Sequence, residues 1–414
     1  MDSSTLAASP FPEGGTQAWL TVIGGSMTTF CTFGVVQSFG VYQDVYTRVL
    51  LNEHSPSTIS WIGSTQVFFL FAIGLPASRL FDAGYFRHCL AFGSCMLIFS
   101  MFMLSLAQPH HFYQFFLAQG VGMGIGMGCL FLPSLTVVSE YFRRRRSVAM
   151  GLVIAGNLGG CLYPVMLNNL FGRSWGFAVR AVAYLDLGLL IIANFIMRKR
   201  LPPRSQKGQA DSLIGEVLHD VNFMIYVLGT FLVFWGVFVP FFYLQLYTNL
   251  NGQVPALLTK YSITIMNAAS IFGRTLPNFA ADAYGPVNVL ILCSICSAGI
   301  IFAMFGAVTT PGVLGFAITY GFFSGGAVSL AAPAAACFSS RKDLSDLGMR
   351  LGVLSFTLGS ALLTGSPIAG ALLEAPEYHW HRPIIFGSVS VLAGSACYLV
   401  IWKNLATRRS TKFV

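Results

Sequence analysis

Apolar runs of about 17 to 25 residues recur along the whole chain, and clusters of polar residues separate them. Runs of this length are typical of helices that cross the roughly 30 Å hydrocarbon core of a membrane. We count twelve of them, near residues 17–42, 58–78, 88–107, 112–139, 147–170, 178–197, 222–246, 257–281, 286–306, 312–337, 349–372 and 383–402. The pattern predicts an all-α membrane protein with twelve transmembrane helices and with both termini on one side.

Composition and charge agree with this pattern. Of the 414 residues, 55% are hydrophobic and 9% are charged, whereas about a quarter are charged in an ordinary soluble domain. Eighteen of the 24 Lys and Arg fall in tails and loops on the side of the termini, five fall on the other side, and Arg274 falls within a span. Because basic loops face the cytoplasm, we expect cytoplasmic termini, and the net charge of +9 indicates topology and no nucleic-acid partner.

The second half of the chain repeats the first at an offset of 200 or 201 residues. The matched pairs include Pro76 with Pro277, Asp82 with Asp282, Gly84 with Gly285, and Pro133 with Pro333. We predict an N-terminal tail 1–16, a six-helix half 17–197, a cytoplasmic linker 198–221, a second six-helix half 222–402 and a C-terminal tail 403–414. Two parallel six-helix units are typical of a rocking transporter whose substrate binds between the halves.

Four stretches resemble a known family. They are EGGTQAW (residues 13–19), GLPASRLFDAGYFR (74–87), YFRRRRSVAMGLVIAGNLGG (141–160) and GRTLPNFAADAYGPVN (273–288). They are similar to the major facilitator superfamily and, within it, to the fungal monocarboxylate porter-like family. The resemblance implies the major facilitator fold and secondary transport of a small-molecule organic acid.

The turn after the second predicted helix is a candidate gate. Glycine permits the backbone angles of a sharp turn, and an acidic residue here can lie near the positive end of a neighbouring helix. The alternative is a solvated turn that obeys charge topology. The repeat in the second half favours gating, as the resemblance also implies. The gating candidates are Gly74, Asp82, Gly84, Arg87, Asp282 and Gly285.

Ionisable groups inside spans are expensive and are therefore candidates for function. Arg274 lies about 12 Å inside the end of its predicted helix and needs an anion, for which a bound carboxylate is the economical partner. The alternative is pairing with backbone carbonyls. The resemblance implies a substrate-carboxylate arginine at this position. Further polar candidates for the binding cavity, or alternatively for interhelical hydrogen bonds, are Gln37, Gln66, Asn157, Tyr243, Gln245 and Asn267.

The proton-coupling residues of the similar animal porters are missing. Their helix 1 lysine aligns near Val36 and Gln37, and their acidic residue four positions before the arginine aligns with Ser270. Asp186 is the remaining buried acid, and it has either a structural or a proton-coupling role. Two other acids, Asp44 and Glu140, are expected at span ends.

These features predict a secondary transporter, a symporter or an exporter, that moves an organic monocarboxylate or a related small organic anion by alternating access. A strongly aromatic helix 7 with Pro240 leaves open the efflux of a bulkier acidic secondary metabolite. A non-transporting membrane sensor is a third alternative. We expect no enzyme activity, no cofactor and no metal site, since His, Asp and Glu do not cluster at the bilayer face. We expect a monomer in a lipid bilayer, by family default the plasma membrane.

Overall fold

The computed structural model describes residues 14–142, 149, 152–153, 155–200, 210–251, 254–338, 347–374 and 376–409, and every regular element in these residues is a helix. The N-terminal half contains α1 Thr16–Gln37, α2 Phe39–Val45, α3 Pro56–Ala72, α4 Gly74–Asp82, α5 Phe86–Ser105, α6 Phe112–Phe115, α7 Gly124–Ser139, α8 Gly159–Leu170 and α9 Trp175–Ile196. The short α10, Ala210–His219, follows. The C-terminal half contains α11 Val221–Val237, α12 Val239–Asn251, α13 Ala256–Tyr284, α14 Pro286–Ala303, α15 Thr310–Ala336, α16 Leu347–Leu373 and α17 His381–Arg409.

Ten helical stretches in the described residues are long and apolar enough to cross a membrane. They correspond to ten of the twelve predicted runs. The run 147–170 is described only in part. The run 257–281 forms the single 29-residue helix α13, which carries Lys260, Arg274 and Asp282 and contains no stretch as apolar as the ten.

The helix breaks follow the repeat that the sequence predicts. The first helical stretch of the N-terminal half breaks at Ser38 (φ −91°, ψ −1°), and that of the C-terminal half breaks at Phe238 (φ −89°, ψ −8°). These two residues are 200 positions apart. Gly84 and Gly285 both adopt positive φ, of 97° and 87°, a region that costs glycine little. The two halves therefore share the positions of a helix break and of a glycine turn, as well as the matched residues in the sequence.

Two boundaries differ from the sequence prediction. The first helical stretch continues through α2 and a π-helical segment to Leu50, so Asp44 lies inside the helix and only 1% of it is exposed. Arg350, expected in a loop, lies within α16, where 1% of it is exposed and Nη1 lies 2.9 Å from Asp220 Oδ2. Both differences arise because an ion pair, with Arg48 one turn away for Asp44 and with the distant Asp220 for Arg350, neutralises a charge that apolar patterning treats as a boundary.

The ends of the helices define two faces. The Gln17 side chain donates to the Ile196 carbonyl at 2.8 Å, which joins the start of α1 to the end of α9. The Asn404 amide donates to Asn222 at 3.0 Å, which joins the end of α17 to the start of α11. We call this side, where the first helix starts and the last one ends, the terminal face, and the other side the opposite face.

Close helix contacts are made through glycine, as in membrane proteins generally. A Cβ added to Gly34 on α1 would lie 2.8 Å from the Cα of Gly159 on α8. A Cβ on Gly273 of α13 would lie 2.0 Å from the carbonyl oxygen of Phe322 on α15. These close backbone contacts fix the positions of α8 against α1 and of α13 against α15. Both α8 and α13 carry residues of the candidate site.

Candidate functional site

At the opposite face, the two halves meet around Asp44. Arg48, one turn away on the same helical stretch, donates from Nε and Nη2 to the two carboxylate oxygens at 2.6 Å each. The C-terminal half contributes Gln245 Nε2 at 3.2 Å and Asn249 Nδ2 at 2.8 Å, both to Asp44 Oδ2. A buried carboxylate needs several donors to offset its lost hydration, and here those donors come from both halves.

Further bonds close the same face. Asn168 on α8 donates to the Lys260 carbonyl at 2.8 Å and accepts from Gln245 at 3.1 Å. Ser57 on α3 donates to the Pro367 carbonyl on α16 at 2.7 Å. With the Asp44 contacts, they join α2 to α12, α8 to α12 and α13, and α3 to α16. The opposite face is therefore closed between the halves.

At mid-depth, three of the predicted cavity residues come together. Gln37 Nε2 donates to Asn157 Oδ1 at 3.3 Å. Across the boundary between the halves, Asn267 Nδ2 donates to the carbonyls of Gly160 at 2.6 Å and Gln37 at 3.3 Å. We call Gln37, Asn157 and Asn267 the polar bridge. Among the described residues, every hydrogen bond between the halves lies at this bridge or closer to the opposite face.

Arg274 lies on the terminal side of the polar bridge. It follows Asn267 by seven residues on α13, so both lie on the same face of the helix, about 10 Å apart along its axis. Its Nε donates to Ser270 Oγ at 3.2 Å. In the described part of the chain, no carboxylate lies within ion-pair distance of its guanidinium. Arg274 therefore retains hydrogen-bond donors for an anion on the terminal side of the polar bridge.

Of the other three predicted cavity residues, Gln245 lies beside Asp44 at the opposite face, and Gln66 and Tyr243 lie elsewhere. Gln66 on α3 is fully buried, with Nε2 3.8 Å from Met127 Sδ on α7, and its Oε1 has no partner in the structure. Tyr243 on α12 donates from its hydroxyl to the Ser366 carbonyl at 3.0 Å. Both side chains lie apart from the polar bridge, Gln66 within one half and Tyr243 close to Ser60 on α3 of the other half.

The predicted gate turns lie at the terminal face. Gly74 packs against Leu132 of α7, whose Cδ1 would lie 2.6 Å from an added Cβ. Arg87 and Asp282 are exposed, and the side chain of Asp82 is outside the described residues. Lys199, at the start of the predicted linker, donates to the Phe81 carbonyl at 2.5 Å and lies 4.4 Å above the Phe81 ring. The chain after α9 therefore contacts the end of α4.

Asp186 lies in a separate buried cluster within the N-terminal half. It is fully buried on α9, and the hydroxyl of Tyr163 on α8 donates to its Oδ1. The thiol of Cys31 on α1 lies beside the carboxyl. In the part of the chain that the structure describes, Asp186 Oδ2 and the Tyr42 hydroxyl are buried without hydrogen-bond partners. The cluster thus joins three helices, and one carboxyl oxygen accepts no hydrogen bond from these residues.

Sequence reasoning missed the role of Asp44, Asn168 and Asn249 at the opposite face. One signal was present, because Asp44 and Arg48 are four residues apart, a spacing that pairs them on a helix. That spacing favours a helix that continues past residue 42. The cross-half donors Asn168 and Asn249 had no local signal, because their acceptors lie 77 or more residues away.

Comparisons with known proteins assign the family. The profile of the Major Facilitator Superfamily matches residues 18–340. The aspyridones efflux protein apdF of Emericella nidulans is 40% identical over 388 residues, which cover 92% of this chain and 77% of that protein. The fujikurins efflux protein of Gibberella fujikuroi is 34% identical over 94% of this chain and 83% of that protein. The agnestins efflux protein AgnL12 of Paecilomyces divaricatus is 34% identical over 96% and 90%.

Solved structures share the fold. The nucleoside transporter NupG superposes with a TM-score of 0.71 at 14% identity, covering 94% of this chain and 100% of that one. A D-xylose-proton symporter gives 0.71 at 16% identity, covering 93% and 96%. The sequence predicted a fungal, monocarboxylate porter-like member of this superfamily. The family match and the fungal relatives support the superfamily and the fungal origin of similar proteins, but the relatives' names do not specify monocarboxylates. The chain is therefore a transporter of the major facilitator superfamily.

Proposed function

We propose that this transporter exports an organic acid with a sizeable apolar body, and that Arg274 binds the acid group between the halves. The observation that carries the proposal is the guanidinium of Arg274, which donates to Ser270 and has no carboxylate partner among the described residues. Three relatives, each at least 34% identical, are named as efflux proteins of aspyridones, fujikurins and agnestins. Export of a bulkier acid is accordingly favoured over uptake of a small monocarboxylate.

The physical argument rests on the cost of a charge at membrane depth. An arginine inside a span is retained where it meets an anion or a water-filled cavity, and its planar fork suits a carboxylate. A bound acid would complete the hydrogen bonding of Arg274 on the terminal side of the polar bridge. The polar bridge of Gln37, Asn157 and Asn267 bounds this site on the side of the opposite face. We assign Gln66 and Tyr243 to helix packing.

We propose twelve crossings with a cytoplasmic terminal face. Eighteen basic residues on that side support the orientation, and α13 serves as a crossing whose polar residues face the other half. With the opposite face closed by Asp44, Asn168 and Ser57, Arg274 is reached from the cytoplasm. This is the conformation in which an exporter loads its substrate.

The two turn signatures remain our candidates for the cytoplasmic gate. Gly84 and Gly285 share a positive φ, and Asp82 and Asp282 each precede such a turn in the sequence. When the terminal face closes, the acids are placed to meet basic residues such as Arg87. Gly74 allows α4 to pack closely on α7 and so fixes where the first turn stands.

We propose Asp186 as the proton-coupling group. It is fully buried, and it is hydrogen-bonded on one oxygen only within the described residues. A carboxyl inside a membrane span is a candidate proton carrier. The cluster contacts α1 through Cys31 and α8 through Tyr163, the helices that carry Gln37 and Gly160 of the cross-half contact. Protonation there can bias how the halves meet.

The remaining assignments follow the family and the repeat. We propose tails 1–16 and 403–414, halves 17–197 and 222–402, and a linker 198–221. We also propose a monomer in the plasma membrane. Lys199 and its contact with Phe81 support a linker that begins directly after α9.

The test is counterflow of labelled acids in proteoliposomes, which needs no assumed driving ion. Wild-type protein is expected to accumulate bulky acids, and Arg274→Ala is expected to abolish accumulation at an unchanged level of inserted protein. Arg173→Ala, a change at an exposed arginine, is the matched control and should transport normally. Accumulation of small monocarboxylates alone would replace the export proposal, and unchanged counterflow in Arg274→Ala would refute the role of Arg274.

A further inference from the structure

Three partly buried phenylalanines from three helices meet in the N-terminal half. The ring centroids of Phe33 on α1 and Phe131 on α7 are 4.7 Å apart, and Phe71 on α3 lies 6.4 Å from each of them. The interplanar angles of 61° to 90° are edge-to-face arrangements, which aromatic rings prefer. We call these residues the aromatic trio. All three rings keep exposed surface, although they come from helices that pack together.

The trio lies at the boundary between the halves. A Cβ added to Gly359 on α16 would lie 3.3 Å from the Cβ of Phe71, so Phe71 stands directly against the C-terminal half. One turn away, Phe68 meets Phe356 of α16 with 6.3 Å between ring centroids. The trio therefore lies at the boundary between the halves, where the proposed function places the substrate.

Helix geometry sets the depth of the trio. Phe33 precedes Gln37 by four residues on α1, so both lie on one face of that helix, with Phe33 about 6 Å nearer the terminal face. Arg274 lies about 10 Å beyond Asn267 in the same direction along α13. Because the Asn267 amide donates to the Gln37 carbonyl, α1 and α13 are neighbours at the polar bridge. Phe33 and Arg274 thus flank one space just on the terminal side of that bridge.

We propose that Phe33, Phe71 and Phe131 form a binding subsite for a flat conjugated ring system, carried by the anion whose acid group binds Arg274. This inference rests on the proposed function and names its substrate class, an aromatic or conjugated organic acid. Ring edges and faces of the trio offer a flat partner contacts that a puckered ring of the same size makes less well. Arg274 would bind the acid group of such a molecule, and the aromatic trio would bind its ring system.

The test compares two acids that share a fused two-ring skeleton, one flat and unsaturated and the other puckered and saturated. Binding of naphthoate and of its fully saturated decalin counterpart is measured on purified full-length protein by competition against labelled naphthoate. We expect wild type to prefer naphthoate by about ten-fold, although the saturated acid is the more apolar of the two. Equal affinities, a preference for the saturated acid, or no binding of either acid would overturn the proposal.

Variants separate this inference from the proposed function. Phe131→Leu keeps an apolar side chain and should reduce the preference to about two-fold or less, with the affinity for the saturated acid retained. Phe195→Leu, on a ring that is 76% exposed on α9, is the matched control and should leave the preference unchanged. If Arg274→Ala abolishes binding of both acids while Phe131→Leu keeps the full preference, the anion site stands and the aromatic subsite is refuted. If Arg274→Ala leaves binding intact, the proposed function itself fails.

Discussion

Ser270 stands one turn before Arg274, and its hydroxyl accepts a hydrogen bond from the guanidinium at 3.2 Å. The similar animal porters have an acid at this position. A carboxylate there would pair with Arg274 and compete with an incoming anion, whereas a serine positions the guanidinium and leaves its charge unpaired. In the proposed function, the identity of this one side chain therefore decides whether Arg274 is available to substrate.

Replacing Ser270 tests that argument. Ser270→Asp is expected to lower counterflow of organic acids at neutral pH by about ten-fold or more, because an internal ion pair satisfies Arg274. Lowering the pH should restore part of the rate as the new carboxyl protonates. Ser270→Ala, which removes one neutral hydrogen bond, should stay within about three-fold of wild type. An unimpaired Ser270→Asp would show that substrate does not compete at Arg274.

Asp186 gives a second prediction at this scale. Asp186→Asn keeps an acceptor for the Tyr163 hydroxyl and removes the titrating group. We expect it to lose accumulation driven by an imposed pH gradient and to retain counterflow, which requires no proton cycle. Parallel measurement of both activities in the same vesicles checks this. Equal loss of both would assign Asp186 a structural role, and retention of both would exclude it as the coupling group.

At the scale of elements, the hydrophobic pattern predicted where helices occur better than where they end. The run predicted at 17–42 continues to Leu50 because Asp44 and Arg48 neutralise each other one turn apart. The breaks at Ser38 and Phe238 carried only a weak local signal, in Gly40 and Pro240 two residues further on. Comparing both halves at an offset of 200 shows that the two breaks correspond. The packing of α1 on α8 was likewise beyond sequence patterning, because it depends on two glycines 125 positions apart.

The contact of α1 with α8 can be tested through Gly34. In Gly34→Ala the new Cβ would lie 2.8 Å from the Gly159 backbone and 2.8 Å from the Tyr163 ring, so the helices must separate. We expect a cost of about 1–3 kcal/mol, seen as a lower thermal midpoint in detergent. Gly188→Ala on α9, where nothing lies within 4 Å, is the control and should be neutral or slightly stabilising. Equal midpoints for the two variants would contradict the close packing.

At the scale of the whole molecule, the two halves are held together on the opposite face by polar contacts that the sequence could not pair. Gln37 and Asn267 were predicted as candidate cavity residues, and their neighbours in space were not predictable. Their pairing depends on how two six-helix units meet, and that changes between states of a transporter. Asp44 is the centre of this contact, since it accepts from Gln245 and Asn249 of the other half.

Removing Asp44 should therefore open the opposite face. Asp44→Ala leaves the amides of Gln245 and Asn249 without their acceptor, which costs about 1–3 kcal/mol per buried group and disfavours the closed arrangement. Spin labels at the exposed Tyr113 and Leu257, in a background without native cysteines, report the distance between the halves on that face. We expect a longer distance in Asp44→Ala and no change in Glu53→Ala, at an exposed acid. An unchanged distance in Asp44→Ala would exclude Asp44 as the closing contact.

The central claim is that an anion bound at Arg274 controls which face of the molecule is closed. The most direct measurement is the distance between the halves on both faces in one experiment, with labels at Tyr113 and Leu257 on the opposite face and at Tyr85 and Tyr284 on the terminal face. Adding a transported organic acid should change the two distances in opposite directions in wild type and should change neither in Arg274→Ala. Distances that change together, or a response that survives in Arg274→Ala, would contradict the account.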